Sequence, residues 1–332
     1  MKYNKLGRTD LNLSEVGLGT WEISGDVWGK KDDAESLKAI HTALDLGVNY
    51  IDTAAGYGSG HSETLIGQVL GERKADNVSV STKILPKCLQ WAPPPHKEID
   101  EFFPPDWIVE QCEASLKRLN IERIGILFLH TWSRSWGHRT EWYEAMLKLK
   151  QQGKIQAIGI SIPDEGIADA NVHVEGGRVD VIQCVYNVFQ QEPEHVLFPL
   201  ARKHNVGIVA RSPFSSGALT GHWTKEIQFS AEDWRGRWPK SIKDNWLEEQ
   251  VEMSEAVRQV ISHSGREMSE VAIRYVLDNP NVTSTIPGSA NPKHVRANIN
   301  VVSTPSLDKQ IQTELRDLWL NGTIHGTYNG SI

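Results

Sequence analysis

Eight times over, this chain pairs a short apolar run with a segment of helical period, and that repetition limits the fold more than any single motif. The first run is 14–19, "SEVGLG". A helical segment follows over 32–47, with Leu37, Ile40 and Leu44 in helical register and Gly47 as its stop. The run 48–52 leads to a helix over 62–71, for which Ser62 is the expected N-cap. Further strands are expected at 77–83, 124–130, 155–161, 179–187, 206–212 and 282–289. Helices are expected at 104–119, 141–153, 246–263 and 269–278, the first with Pro105 in its opening turn. No linker rich in Pro, Gly or Ser divides the 332 residues. The series predicts one α/β domain over 1–332, a closed (β/α)₈ TIM barrel. A doubly wound open sheet is the runner-up and would need a switch point. The residues before 14 are expected to form a hairpin plugging the barrel floor, and 306–319 an extra C-terminal helix.

In such a barrel the chemistry lies at the C-terminal strand ends. There the sequence puts a polar residue in six successive strands: Asp52, Lys83, His130, Ser161, Gln183 and Arg211. Taken singly, an Asp there often caps the next helix, a Lys snorkels to solvent, and a His is a hydrogen-bonded structural residue. Their recurrence at consecutive strand ends favours a site.

Other classes are disfavoured. With a net charge of −7 and no basic stripe, nucleic acid is not the expected partner. The apolar runs are strand-sized, short of a membrane span, and the opening "MKYNKLGRTD" has no apolar signal core. Cys88, Cys112 and Cys184 stand far apart, without disulfide or zinc spacing. A cytoplasmic location fits. There is no HExxH motif, no P-loop and no GxSxG elbow. Gly56, Gly58 and Gly60 spell G-x-G-x-G, a near miss of the dinucleotide fingerprint, and follow the second strand where the fingerprint follows the first.

The residues themselves suggest acid–base work. A buried Lys83 beside Tyr57 would favour the phenolate and lower the tyrosine pKa, with Asp52 keeping Lys83 charged and oriented. Tyr57 then becomes a proton donor, and His130 can donate a hydrogen bond to a carbonyl oxygen. With no nucleophile beside a base and no metal cluster in view, the pattern points to hydride transfer by a cofactor.

At this point the chain resembles the aldo-keto reductases over about residues 3–320. The motifs are "LGRTDLNLSEVGLGTW", "GVNYIDTAAGYGSGHSETLIGQVL", "STK", "SLKRLNIERIGILFLH", "GKIQAIGIS", "VIQCVYN", "SPFSSGALTG" and "IPGSANPKHVRANI". It looks most like the bacterial, voltage-channel-β-subunit-like branch. The resemblance implies the (β/α)₈ barrel, NADP(H) or NAD(H) as cofactor, and a catalytic tetrad of Asp52, Tyr57, Lys83 and His130. Ser161 and Gln183 match positions that hold the nicotinamide carboxamide, and Arg211 the position that stacks on its ring. Ser212 and Leu219, Thr220 and Gly221 match a pyrophosphate segment. Gly288, Ser289, His294 and Asn298 match the adenosine end.

Three departures bear on the cofactor. Ile162 stands where the family usually has Asn, Arg211 where it often has an aromatic, and Ala290 where it often has a basic residue for the 2′-phosphate. NADP(H) remains the favoured cofactor, with NAD(H) the alternative. Twelve tryptophans are many, and Trp21, Trp91 and Trp132 fall in loops expected around the mouth. Flat aromatic walls suit a sugar-like or aromatic small-molecule carbonyl or alcohol. The loop 84–104 is longer than an ordinary βα connection and is expected to form a wall of the pocket. The rival class is a cofactor-binding regulatory subunit with little turnover. Oligomeric state is not legible.

Overall fold

The computed structural model describes residues 1–25, 27–29, 31–74, 77–91 and 93–326. Its strands are β1 (Tyr3–Lys5), β2 (Asn12–Ser14), β3 (Leu18–Gly19), β4 (Tyr50–Asp52), β5 (Ser79–Ile84), β6 (Ile124–Leu129), β7 (Ile155–Ser161), β8 (Val181–Val185), β9 (Gly207–Arg211) and β10 (Ser284–Thr285). Strands β3 to β10 form one eight-stranded sheet in chain order, every pairing parallel. Parallel bridges from Val16 to Thr285 and from Gly19 to Gly288 join its two edges. The amides of Gly17 and Gly19 reach the carbonyls of Thr285 and Pro287 at 2.8 and 3.2 Å. The sheet is therefore a closed barrel, with no edge left to pair. Closure is tight: a side-chain carbon on Gly19 would lie 2.6 Å from the Ile286 carbonyl oxygen.

Alternation along the strands sorts the residues. Ile51, Val80, Leu127, Ile158, Ile182 and Ile208 turn outward into the core shared with the helices. Tyr50, Ile126, Phe128, Ala157, Val181, Val209 and Ile286 turn inward and fill the lower barrel together with Leu6, Leu11 and Leu13. Those leucines come from the antiparallel β1–β2 hairpin, in which Tyr3 pairs with Ser14. The hairpin thus plugs the floor as its apolar residues require.

Helices at Asp33–Asp45, His61–Arg73, Pro105–Leu119, Glu141–Gln151, Lys240–Ile261, Met268–Leu277, Pro292–Asn300 and Lys309–Leu320 lie outside the strands. Several local expectations differ: the strand expected over 282–289 is only Ser284–Thr285, and the helix expected from 246 begins at Lys240. The first strand is shorter than 14–19, because the hairpin takes Ser14. Ser62 lies inside its helix, where the N-cap is Gly60 at φ 92°. No helix among the described residues is long and apolar enough to cross a membrane.

Candidate active site

The inward rows of the barrel end in polar groups at its C-terminal mouth. Asp52 follows Tyr50, Lys83 follows Ser81, His130 continues Ile126 and Phe128, Ser161 follows Gly159, Gln183 follows Val181, and Arg211 follows Val209. One strand phase therefore aims all six into the same space.

Lys83 is the centre of this set. It is 1% exposed, and its ammonium donates to Asp52 Oδ1 at 2.6 Å, to the Thr53 carbonyl at 2.7 Å and to Tyr57 Oη at 3.3 Å. An ammonium has three hydrogens, so all three are placed. Burial disfavours the charge, but Asp52 and Tyr57 together outweigh it and hold the Lys83 pKa above that of ordinary lysine. Asp52 is equally occupied. Its Oδ2 accepts from Ser81 Oγ at 2.6 Å and from Gln183 Nε2 at 2.9 Å.

The tyrosine is held by its loop. Gly58, Ser59 and Gly60 all take positive φ, at 60°, 54° and 92°, which turns the chain sharply between β4 and the next helix. Glycine is required at 60, where a side-chain carbon would meet Arg118 Cδ at 2.5 Å. Buried hydroxyls of Thr20, Thr53 and Ser62 bond to one another behind the loop at 2.9 and 3.0 Å. Burial is the largest influence on Tyr57 and raises its pKa; Lys83 opposes this without reversing it. The expectation of an acidified phenol is thus corrected. Desolvation exceeds the attraction of the neighbouring cation, and Tyr57 is protonated at neutral pH.

The His130 ring lies 5.9 Å from the Tyr57 ring, edge to face. Burial, and then the charges of Lys83 and Arg211, push its pKa well below that of ordinary histidine. It is therefore neutral at pH 7 and carries one N–H. Among the described residues its buried Nδ1 has no hydrogen-bond partner. Arg211 is fixed by Asp164 at 2.5 Å and by the Ile162 carbonyl at 3.1 Å, both just beyond β7.

The outer ring of expected residues falls into two arcs. Ser161 Oγ bonds to Gln183 Oε1 at 3.0 Å, both side chains buried. Beyond β9 the backbone is strained: Ser212, Ser215, Ser216, Gly217 and Gly221 all have positive φ. Three of these are consecutive, and two of those three are not glycine, an arrangement that persists where a ligand or a clamp demands it. Leu219 is buried, and its amide is spent on the Phe214 carbonyl, so it supports this turn from the core and does not face the mouth. Gly288 is exposed and Ser289 is buried just beyond β10, while His294 and Asn298 sit one helical turn apart on Pro292–Asn300.

The tryptophans divide. Trp21 is 40% exposed and stacks near Tyr57 at 6.2 Å, and Trp91 meets the His130 ring at 4.6 Å. Trp132 is not at the mouth. It is 1% exposed and packs among Trp136, Trp142 and His173 in the helical layer, because β6 ends at Leu129 and strand alternation no longer holds three residues further on. The long loop reaches the site at Trp91, whose carbonyl accepts from Thr131 Oγ1 at 2.7 Å, and is pinned to the helical layer where the Lys97 carbonyl accepts from Trp136 Nε1 at 2.7 Å. Residue 92 of that loop lies outside the described residues.

The fold agrees with comparison to known proteins. A model of the aldo/keto reductase family matches residues 15–319. The chain belongs to the aldo/keto reductase family. It is 30% identical over 322 residues to "Aldo-keto reductase YhdN" of Bacillus subtilis (strain 168), covering 97% of this chain and 94% of that one. It is 31% identical over 309 residues to the "NADH-specific methylglyoxal reductase" of Escherichia coli (strain K12), covering 90% and 93%. The solved structure of the glycerol dehydrogenase AKR11B4 from Gluconobacter oxydans aligns with a TM-score of 0.78 and 29% identity, over 100% of this chain and 99% of that one.

Three residues of this aldo/keto reductase were missed in the sequence. Glu63, in the first turn of its helix, has no exposed surface and bonds Arg118 at 2.6 Å and Thr82 at 2.5 Å. Its place on the apolar stripe with Ile66 and Leu70 was the available signal. Asp164 holds Arg211. Glu22 accepts from the Ala290 amide at 3.2 Å while paired with Lys31 at 2.8 Å. Both partnerships join residues far apart in sequence, and no local pattern announces them.

Proposed function

We propose that this protein is a nicotinamide-dependent oxidoreductase that reduces a small aldehyde or ketone to an alcohol, or runs the reverse, with Tyr57 as the acid–base group. The observation that carries the proposal is the filled coordination of Lys83. Because Lys83 donates to Tyr57 Oη, the tyrosine's own hydrogen is directed away from it and is free for a substrate oxygen.

A bound reduced nicotinamide supplies the hydride. The strained 212–221 turn and the exposed backbone at Gly288 fit a ligand carrying phosphates. Ser161 and Gln183 would hold the amide end and Arg211 would lie along the ring. Ser212, Thr220 and Gly221 would meet the diphosphate, and Gly288, Ser289, His294 and Asn298 the adenosine. Neutral His130 donates its N–H to the carbonyl oxygen and orients it. As negative charge develops there, Tyr57 gives its proton to the same oxygen, and Lys83 stabilises the phenolate left behind. Asp52 keeps Lys83 charged throughout. In oxidation the proton returns to Tyr57. Trp21 and Trp91 would form the walls for a sugar-like or aromatic substrate.

NADP(H) is the cofactor favoured by the family resemblance. NAD(H) is the second reading, and Glu22 favours it: a carboxylate already occupies the Ala290 amide beside the opening of helix Pro292–Asn300, where a 2′-phosphate would compete.

The test is oxidation of NADPH and of NADH with a panel of aldoses, ketoses and aromatic carbonyls, methylglyoxal included, with glycerol for the reverse direction. Turnover that Tyr57→Phe abolishes is expected. Tight cofactor binding without turnover on any substrate would support a regulatory subunit instead.

A further inference from the structure

The amide of Gln183 lies between two groups that are otherwise separate, Ser161 at the end of β7 and the carboxylate of Asp52. Its orientation follows from chemistry. A carboxylate can only accept, so the atom 2.9 Å from Asp52 Oδ2 is the amide nitrogen. The amide oxygen therefore faces Ser161, whose hydroxyl donates to it at 3.0 Å. Ser81 spends its hydrogen on Asp52, so at the 2.9 Å contact between them Tyr50 is the donor to Ser81. Every direction is then fixed: Ser161 to Gln183, Gln183 to Asp52, and Lys83 to both Asp52 and Tyr57. Ser161, Gln183, Asp52 and Lys83 are all between 0 and 4% exposed. In such a dry network, each bond polarises the next.

We infer that Gln183 is a positioning residue which carries the state of the Ser161–Gln183 pair to Asp52, and through Lys83 to the proton held by Tyr57. This rests on Tyr57 as the proton donor and extends it: the residues expected to hold the cofactor amide also set the strength of the acid. The sign follows from the charges. The negative charge of Asp52 opposes ionisation of Tyr57. A hydrogen bond from Gln183 disperses that charge and leaves Lys83 freer to stabilise the phenolate. A ligand amide donating to Gln183 Oε1 sharpens the Nε2–H bond to Asp52 and makes Tyr57 the stronger acid. Occupancy of the cofactor site thus arms the proton donor.

Gln183→Met, close in volume but unable to donate, tests this. The pH dependence of kcat is measured for the wild type and the variant, with cofactor Kd from quenching of tryptophan fluorescence. The alkaline limb in the reductive direction, on which Tyr57 loses its proton, should move to higher pH by about half to one unit in Gln183→Met. Ser161→Ala, which leaves the Gln183–Asp52 bond in place, should weaken cofactor binding with a smaller shift of the limb. A Gln183→Met enzyme whose cofactor Kd rises while the limb stays put overturns the inference and leaves Tyr57 as donor. Turnover that survives in Tyr57→Phe sinks the underlying proposal instead. Ultraviolet titration of tyrosinate, read as the difference from Tyr57→Phe, gives the same comparison without turnover. An unmoved Tyr57 there overturns the inference as well.

Discussion

Asp52 Oδ1 lies 2.6 Å from Lys83 Nζ with 3% and 1% of the two side chains exposed, so neither charge has recourse to solvent. Lys83→Met strands the carboxylate. A broken buried pair costs about 3–5 kcal/mol, more than the pair itself is worth over an apolar replacement. Urea unfolding should therefore show Lys83→Met well below wild type, and Asp52→Asn/Lys83→Met partly restored. Activity should not follow stability. Both variants lose the cation beside Tyr57, and kcat should fall at least about 100-fold in each. A double variant that recovers turnover along with stability would show the pair to be scaffolding only.

Glu22 supplies a prediction about the cofactor. Its carboxylate stands on the Ala290 amide and is shared with Lys31, with 30% of the Glu22 side chain and 23% of the Lys31 side chain exposed. Partial exposure limits the effect to about 1 kcal/mol, roughly a fivefold change in affinity. Glu22→Gln should lower the Kd for NADPH relative to that for NADH by about that factor. An unchanged ratio would place the 2′-position away from Ala290.

The architecture was legible because its signal is periodic. Eight apolar runs and the inward phase of their last residues announced both the barrel and the six groups at its mouth. What sequence could not supply was energetics and partnership. Lys83 beside Tyr57 suggested an acidified phenol, whereas burial dominates and pushes the other way. Trp132 was assigned to the mouth from its strand-end position, but β6 ends at Leu129 and the chain beyond it carries the ring into the helical layer. Glu63 with Arg118, Asp164 with Arg211 and Glu22 with Ala290 are contacts between distant segments, set only once the barrel closes.

The aromatic nest behind the mouth should make the fold acid-sensitive. His173 is buried against Trp132 and Trp142, its Nε2 has no partner among the described residues, and Arg178 Nη1 is 3.4 Å from Nδ1. Burial, and then Arg178, lower its pKa to about 4. The unfolded chain regains a value near 6.5 and binds the proton first. This contribution is therefore present above pH 6.5 and is lost as pH falls through 4. The loss should approach about 3 kcal/mol. Urea unfolding at pH 7 and at pH 4.5 should show a smaller difference in His173→Phe than in wild type. Equal differences would mean that other groups carry the acid response.

Trp91 joins the long loop to the chemistry. Its ring covers the His130 ring at 4.6 Å, and its carbonyl is tied down by Thr131. That cover is part of what buries His130 and depresses its pKa, since burial is the largest cause of the shift. Trp91→Ala should let water reach the imidazole, and the His130 titration followed by NMR should move up toward 6.5. The same change removes one wall of the substrate space and none of the outer arcs expected to hold cofactor. KM for the carbonyl substrate should rise about tenfold while cofactor Kd stays constant, the split expected when uniform substrate binding is lost. Deleting residues 90–102 should act in the same direction and more strongly. An unmoved His130 titration together with unchanged KM would show that the loop only covers the barrel, and substrate selection would then fall to Trp21 and the residues beyond β9.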